Sequence, residues 1–484
     1  MKKQILIALL GVLCLTGTAQ NEVDAYRYSL TNYEGSARFM GMGGAFGSLG
    51  GDVSAIGINP ASMARFSKNE FSFSIQSAFM NASTDFYGQT TDNSRGNFNI
   101  PNIGFVGTHN FKNAGKIGWQ SVQFGLTYNR QNNFNERISI AGDPGNSYSL
   151  VFANWAEGTA GSDLINTNNY DSYLAYETYL IDPDPIVANN YISTIIGGTD
   201  VQKTINRSGN MASTELALSG NYANKIYVGG SIGIPTIRFN ETATHFEAVS
   251  NDTINQLDNF SYTQNLKTTG SGFNFKAGIV VLPMDGVRLG LAYQTPTAYR
   301  MSDRWSNDMT TNFDNGDTYS ATSDNGSYVY KLRTPSKLTA SASIVLMKRA
   351  AISIDYEMKD YARAQLSSTP YAPISYEFTN ENTAIGNVYK KASTIRLGAE
   401  VKLGPSILAR AGAQYRQSAL VESTGAQLNY STGLGYRNNN FYIDAAYIIS
   451  TSSEDFYLYD PALIDAANIN KNSNRATVTV GFRY

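Results

Sequence analysis

His109 and His245 are the only imidazoles in a chain of 484 residues, so metal binding and histidine-based catalysis can be judged from position alone. A serine hydrolase needs a histidine beside its nucleophile and a carboxylate to orient it. His245, with Ser250 nearby, is the weak candidate for that role. His109 ends one alternating segment and His245 follows the end of another, which sets them at opposite sides of a layer ~30 Å thick. One metal ion or one haem cannot take both. No catalytic residue, metal ligand or cofactor is assigned, and no enzyme activity is expected.

Two other sets of residues invite a chemical reading. Gly41 and Gly43 could begin a dinucleotide fingerprint, but position 46 is Phe46 and no Gly-Lys-Ser/Thr follows to make a phosphate loop. The glycine run 41–47 instead suits backbone packed closely in a confined space. Arg288, Asp355, Glu357, Lys359, Arg396, Glu400, Arg410, Arg416 and Asp444 all fall on one face of late alternating segments. They could set ion selectivity or pair with one another and with a filling segment; pairing is the favoured reading.

The elements that present these residues alternate with period two. Val122, Phe124, Leu126 and Tyr128 interleave with Gln123, Gly125, Thr127 and Asn129; Ile395, Leu397, Ala399 and Val401 interleave with Arg396, Gly398 and Glu400. Strands are predicted near 70–80, 99–110, 117–130, 211–222, 225–239, 259–283, 287–300, 327–347, 351–364, 388–403, 406–420, 425–437, 440–451 and 473–484. Tight turns, as at Tyr222 to Lys225 and Lys348 to Ala350, alternate with longer connections. An even count near fourteen with short turns at one end predicts an all-β, closed, antiparallel transmembrane barrel.

Composition agrees. Tyrosine numbers 32, glycine 43, and charged residues make up only 16%, against ~25% in soluble domains. Lys2 and Lys3, the apolar run from Ile5 to Leu15 and small residues up to Ala19 have the order of a secretory signal, so residues 1–20 are expected to be removed. The only cysteine, Cys14, leaves with them. The mature chain then carries 35 basic against 39 acidic residues, about −4, with no electrostatic footprint for nucleic acid. The chain ends on Tyr484, with Ala476, Val478, Val480 and Phe482 on the same face, a pattern suited to the outer-membrane insertion machinery.

Two regions do not read as wall. Residues 21–66, rich in small residues, precede the first strand and are expected inside the barrel. Residues 131–210 form a long extracellular insertion in which Tyr173, Tyr176 and Leu180 recur at near-helical spacing, followed by an apolar patch that includes Ile186 and Ile192. Ligand capture by Tyr173, Tyr176, Leu180 and Ile192 and a self-packed lid fit this stretch equally well.

At Ser36-Ala37-Arg38-Phe39-Met40-Gly41-Met42-Gly43-Gly44-Ala45-Phe46, and on through Gly57-Ile58-Asn59-Pro60-Ala61, the sequence resembles the FadL/TodX family of outer-membrane transporters for hydrophobic compounds. The segments from Leu289 to Pro296 and from Arg333 to Pro335 are similar to its strand motifs. The resemblance implies an N-terminal hatch that plugs the barrel, with Asn59, Pro60 and Ala61 carried over as hatch residues and Gly43 and Gly44 placed with them. It also implies passive uptake of hydrophobic small molecules, above all long-chain fatty acids, released sideways into membrane lipid of the outer membrane of a diderm bacterium. The alternative is a general porin, or a barrel with a structural or adhesive role.

Overall fold

The computed structural model describes residues 21–484 apart from 113–114, 116, 167–169, 196–197, 250–255, 371, 373–375 and 424. The expected signal peptide with Cys14, and Ser250, lie outside the described residues. Before the first strand come helices α1 (Glu22–Ser29) and α2 (Ala37–Gly41) and two 3₁₀ turns, Val53–Gly57 and Pro60–Arg65.

The wall then begins with β1 (Glu70–Phe86), β2 (Gln89–Asn99), β3 (Asn102–Asn110), β4 (Trp119–Asn133) and β5 (Glu136–Gly142). A cap follows: α3 (Ser149–Ala156), α4 (Tyr170–Glu177) and a hairpin of β6 (Ile181–Pro183) and β7 (Tyr191–Ser193). The wall resumes with β8 (Thr199–Tyr222), β9 (Ile226–Val249), β10 (Leu257–Met284), β11 (Val287–Gln294) and β12 (Ala298–Phe313). Next are β13 (Thr318–Thr322), β14 (Gly326–Arg333), β15 (Lys337–Leu346), β16 (Ala350–Asp360) and β17 (Gln365–Ser368). After α5 (Thr379–Val388) the chain finishes through β18 (Lys391–Lys402), β19 (Ile407–Gln417), β20 (Ala426–Arg437), β21 (Phe441–Phe456) and β22 (Ala467–Arg483).

Fourteen antiparallel staves close on themselves, because β22 pairs along β1 from Glu70↔Arg483 to Asp85↔Asn468. The pairing leaves no open edge where the last strand meets the first. Alternation explains the sidedness. In β1 the Ser72, Ser74 and Gln76 side chains are buried inward while Phe71, Phe73 and Ile75 face out. Gln76 donates to Thr477 at 3.0 Å across the closing seam, so inward polar groups find partners that lipid could not offer. The turn at Ala223-Asn224 has φ of +54° and +57°, and that at Met347-Lys348 +50° and +55°. Two successive left-handed residues match the twist of a two-residue hairpin.

The expected strands are present, with three revisions. Segments 287–300 and 327–347 are each broken, at Thr295–Thr297 and Thr334–Ser336, where Pro296 and Pro335 cannot donate to a ladder. Segment 99–110 continues above Pro101 as β2. The insertion is shorter than 131–210, since β5 and the first half of β8 extend the wall outward and pair from Glu136↔Arg207 to Gly142↔Val201.

Candidate functional site: the hatch and the kinked wall

Residues 21–66 run down the lumen without forming a strand. Asn21 caps α1 by accepting the Asp24 N–H at 3.2 Å. Ala25 and Tyr28 pack with Phe134, Phe239, Tyr330 and Leu332 in the upper lumen. There burial pushes the Asp24 carboxyl up to about 7, although Arg27 forms an ion pair with it.

Lower down, Ser36 caps α2 by accepting from the Phe39 N–H at 3.1 Å and donates to Asp52 at 2.7 Å. Gly43 and Gly44 follow with φ of +62° and +76°, where a Cβ would be strained. The N–H groups of Phe46 and Gly47 donate to Asp355 of β16 at 3.1 and 3.0 Å. Asn59 then caps the second 3₁₀ turn: its side chain accepts from the Ala61 N–H at 3.0 Å and donates to the Gly47 carbonyl at 2.7 Å. Pro60 sits at the first position of that turn, where its missing N–H costs nothing. Asn59 thus ties the Asn-Pro-Ala step to the end of the glycine run through the Gly47 carbonyl.

The wall meets this unit with glycine. A Cβ on Gly229 would lie 2.6 Å from the Pro60 carbonyl carbon, one on Gly398 2.5 Å from the Met42 oxygen, and one on Gly290 2.9 Å from the Gly47 oxygen. Gly104, Gly125, Gly278 and Gly412 are likewise filled by Val53, Met63, Asn59 and Gly43. Glycines on the inward face of strands β3, β4, β9, β10, β11, β18 and β19 therefore form the seat of the hatch. The signal for them lay in the alternation itself, as glycines standing on the lumen face in mid-strand.

The inward charges pair with one another and with the hatch. Arg38 reaches Glu400 at 2.8 Å, Glu400 reaches Arg410 at 2.7 Å, and Arg410 and Arg437 flank Asp444 at 2.7 and 2.8 Å. Arg288 donates to the Leu49 carbonyl at 2.6 Å.

Around hatch residues 29–34 the balance turns positive. Lys359 donates to the Ser29 carbonyl and Arg416 to the Thr31 carbonyl and the Asn32 side chain. Lys337 and Arg396 lie over the Tyr33 ring, at 4.2 and 5.7 Å. Arg130 and Arg475 each stand 3.6 Å from Glu34. Among the described residues, the carboxylates in ion-pair reach of these six cations are Glu34 and Glu357, and Arg396 Nη1 and Arg475 Nε are buried without an acceptor. Cavities of about 60 and 20 Å³ adjoin Asn32 and Arg475.

The wall is interrupted at this same level. The β4–β8 ladder slips between Arg130 and Asn132. Beyond the slip β5 turns onto the inner side of β1 and β2, where Thr84 donates to the Ser139 carbonyl at 2.5 Å. Among the described residues no backbone ladder joins β2 to β5. Asn133 bridges to Asn97 at 3.1 Å instead. Hatch residues take up the freed backbone: the Asn32 and Glu34 N–H groups donate to the Gln131 and Arg130 carbonyls at 2.6 and 3.0 Å. The gap opens beside Phe98, which is 71% exposed on the lipid side.

The remaining candidates are dispersed. Leu180 is buried in the core of the cap with Phe152, Leu174 and Phe260; Tyr173 and Tyr176 pack against that core, and Ile192 is exposed on β7. His109 is at the lower end of β3. His245 lies within β9, which runs on to Val249, and is buried with Nε2 2.7 Å from Glu247.

Several solved structures share this architecture. A Pseudomonas aeruginosa FadL homologue is similar over 94% of this chain and 99% of its own, at 14% identity and a TM-score of 0.59. The P. putida toluene transporter TodX matches over 94% and 99%, at 12% identity and 0.56. The Ralstonia pickettii toluene transporter TbuX matches over the same shares, at 13% identity and 0.53. At such identities the likeness is one of fold. No curated protein sequence matches. A model of the family described as outer membrane protein transport protein (OMPP1/FadL/TodX) matches residues 190–456, more than half of the chain.

Proposed function

Since this chain belongs to the outer membrane protein transport family (OMPP1/FadL/TodX), and is an outer-membrane barrel for transport of hydrophobic compounds, we propose that its cargo is a long-chain fatty acid, admitted passively, gated by the hatch and released sideways into the membrane. The observation that carries this reading is the surplus of cations at residues 29–34, beside the break in the wall. A neutral aromatic such as toluene gains little from a cluster in which six buried basic side chains have two carboxylates among them, whereas a further carboxylate offsets the excess. The acyl chain gains from leaving water for lipid, at about 25 cal/mol per Å² of apolar surface.

The hatch bonds to Arg130 and Gln131 suit a shared movement. Withdrawal of Asn32 and Glu34 would free the kinked strand and expose Arg416 and Arg475 together. Gly43, Gly44, Asn59, Pro60 and Ala61 act here as the gate, and Tyr173, Tyr176, Leu180 and Ile192 of the cap as the first apolar contact outside. Tyr484, at the end of the closing strand, is the proposed handle for the insertion machinery. A general porin has less support, because hatch side chains such as Phe39, Met42 and Phe46 fill the lumen as a packed cluster.

Uptake of labelled oleate and labelled toluene by cells carrying the intact protein or the double variant Arg416→Gln, Arg475→Gln tests the reading. Loss of oleate uptake with toluene entry unchanged is expected. Equal effects on both, or no oleate uptake by the correctly inserted intact protein, would remove the fatty-acid assignment.

A further inference from the structure

The outer surface of the barrel carries a groove of about 1000 Å³ low on β3, β4, β8 and β9, on the wall directly behind the hatch. Its sides are the lipid-facing Trp119, Val122, Phe124, Leu218 and Val228, with Leu218 standing 66% exposed. Its floor crosses four staves in register, through Gly107↔Phe124, Phe124↔Leu218 and Leu218↔Gly230.

Two neighbouring glycines separate its cause from that of the hatch seat. Gly229 faces inward and is glycine because Pro60 and Ala61 press on it. Gly230 faces outward, and a Cβ there would meet nothing nearer than the Lys276 carbonyl at 3.6 Å; at Gly107 the nearest atom would be 3.5 Å away. Neither has a positive φ. No protein atom requires glycine at 107 or 230, and glycine weakens a strand interior. What uses the space lies outside the wall. There the surroundings are membrane, since Phe124 and Leu218 continue upward into the exposed apolar row of Leu126, Leu216 and Ile232. The lower end of the groove is polar, lined by Asn69, Thr108 and His109.

We propose that this groove is a binding site for one phospholipid of the periplasmic leaflet, its acyl chain lying over Gly107 and Gly230 and its headgroup at His109. The lipid and the hatch are separated there by backbone alone: Pro60 bears on Gly229 from inside and the chain on Gly230 from outside. Occupancy therefore stiffens the strand against which the Asn-Pro-Ala step is seated. The inference stands whatever the lumen carries.

Trp119 in the groove wall provides the readout. In the full mature protein with Trp155→Phe and Trp305→Phe, purified in detergent, a phosphatidylethanolamine with a brominated chain is titrated against Trp119 emission. Saturable quenching at one lipid per barrel is expected, and Gly107→Leu with Gly230→Leu should raise the half-quenching concentration at least tenfold; Gly230→Ala should give a smaller shift in the same direction. The undisturbed protein already decides the matter if the double variant fails to fold. Quenching that rises without saturation means a chance lipid boundary and overturns the site. Saturation by brominated oleic acid but not by the phospholipid overturns the assigned occupant.

Discussion

Pro60 of the hatch and Gly229 of the wall touch through their backbones, so closely that a Cβ on 229 would fall 2.6 Å from the Pro60 carbonyl carbon. Neither side can yield without moving a strand or the 3₁₀ turn that Asn59 caps. The plug is thus held by shape as well as by charge.

Gly229→Ala should lift the hatch from its seat while leaving the outer wall intact. Single-channel conductance in planar bilayers is expected to rise severalfold, and Gly230→Ala, whose Cβ has room, should stay at the level of the unmodified protein. Equal conductance in the two variants would contradict the seating.

Asn59→Ala removes a cap, about 1 kcal/mol, and the buried bond to the Gly47 carbonyl, about another 1 kcal/mol. Small-solute leakage should increase and oleate uptake lose its saturation. Unchanged leakage from a barrel that resists denaturation as before would deny Asn59 a part in the gate.

Arg38 and Glu400 form a largely buried pair that links α2 to β18. Breaking one partner of such a pair costs about 3–5 kcal/mol. Arg38→Ala should therefore expose residues 36–47 to hydrogen exchange at least a hundredfold faster, with Arg38→Lys intermediate. Exchange in β18 itself should hardly change.

Docking of α1 should weaken as the medium becomes alkaline. Burial raises the Asp24 carboxyl to about 7 from 3.8, so between those values the folded state holds a proton that the unfolded state has shed. Stability then falls with rising pH. The contribution is complete below about pH 4 and lost through pH 7. Hydrogen exchange of residues 22–29 should be slower at pH 5.5 than at 8.5 after correction for intrinsic rates, and Asp24→Asn should flatten the difference. Protection that grew with pH would refute the assignment.

In the cap, Leu180→Ala should open a packed core at a cost of about 2–5 kcal/mol and admit protease between α4 and β8. Ile192→Asp, at an exposed position, should leave protease resistance alone and lower the apparent affinity for oleate. If Ile192→Asp leaves that affinity unchanged, the cap is a lid and not a capture surface.

By itself the sequence determined whatever depends on local period and composition. Lipid on one side and a polar lumen on the other impose strict alternation, so Val122, Phe124 and Leu126 against Gln123, Gly125 and Thr127 could be sorted without coordinates. The stave count, the short turns and the unpaired stretch 21–66 followed for the same reason. Tertiary structure decided what depends on closure. Lys359, Arg130 and Arg475 lie far apart in the chain, and only the circular order of staves brings them around Thr31 to Glu34. The slip at Arg130–Asn132 replaces ladder bonds with bonds to the hatch, an exchange between distant segments that no local pattern records. Alternation sets Gly229 inward and Gly230 outward, but that Pro60, 169 residues earlier in the chain, is what bears on Gly229 comes solely from the folded hatch.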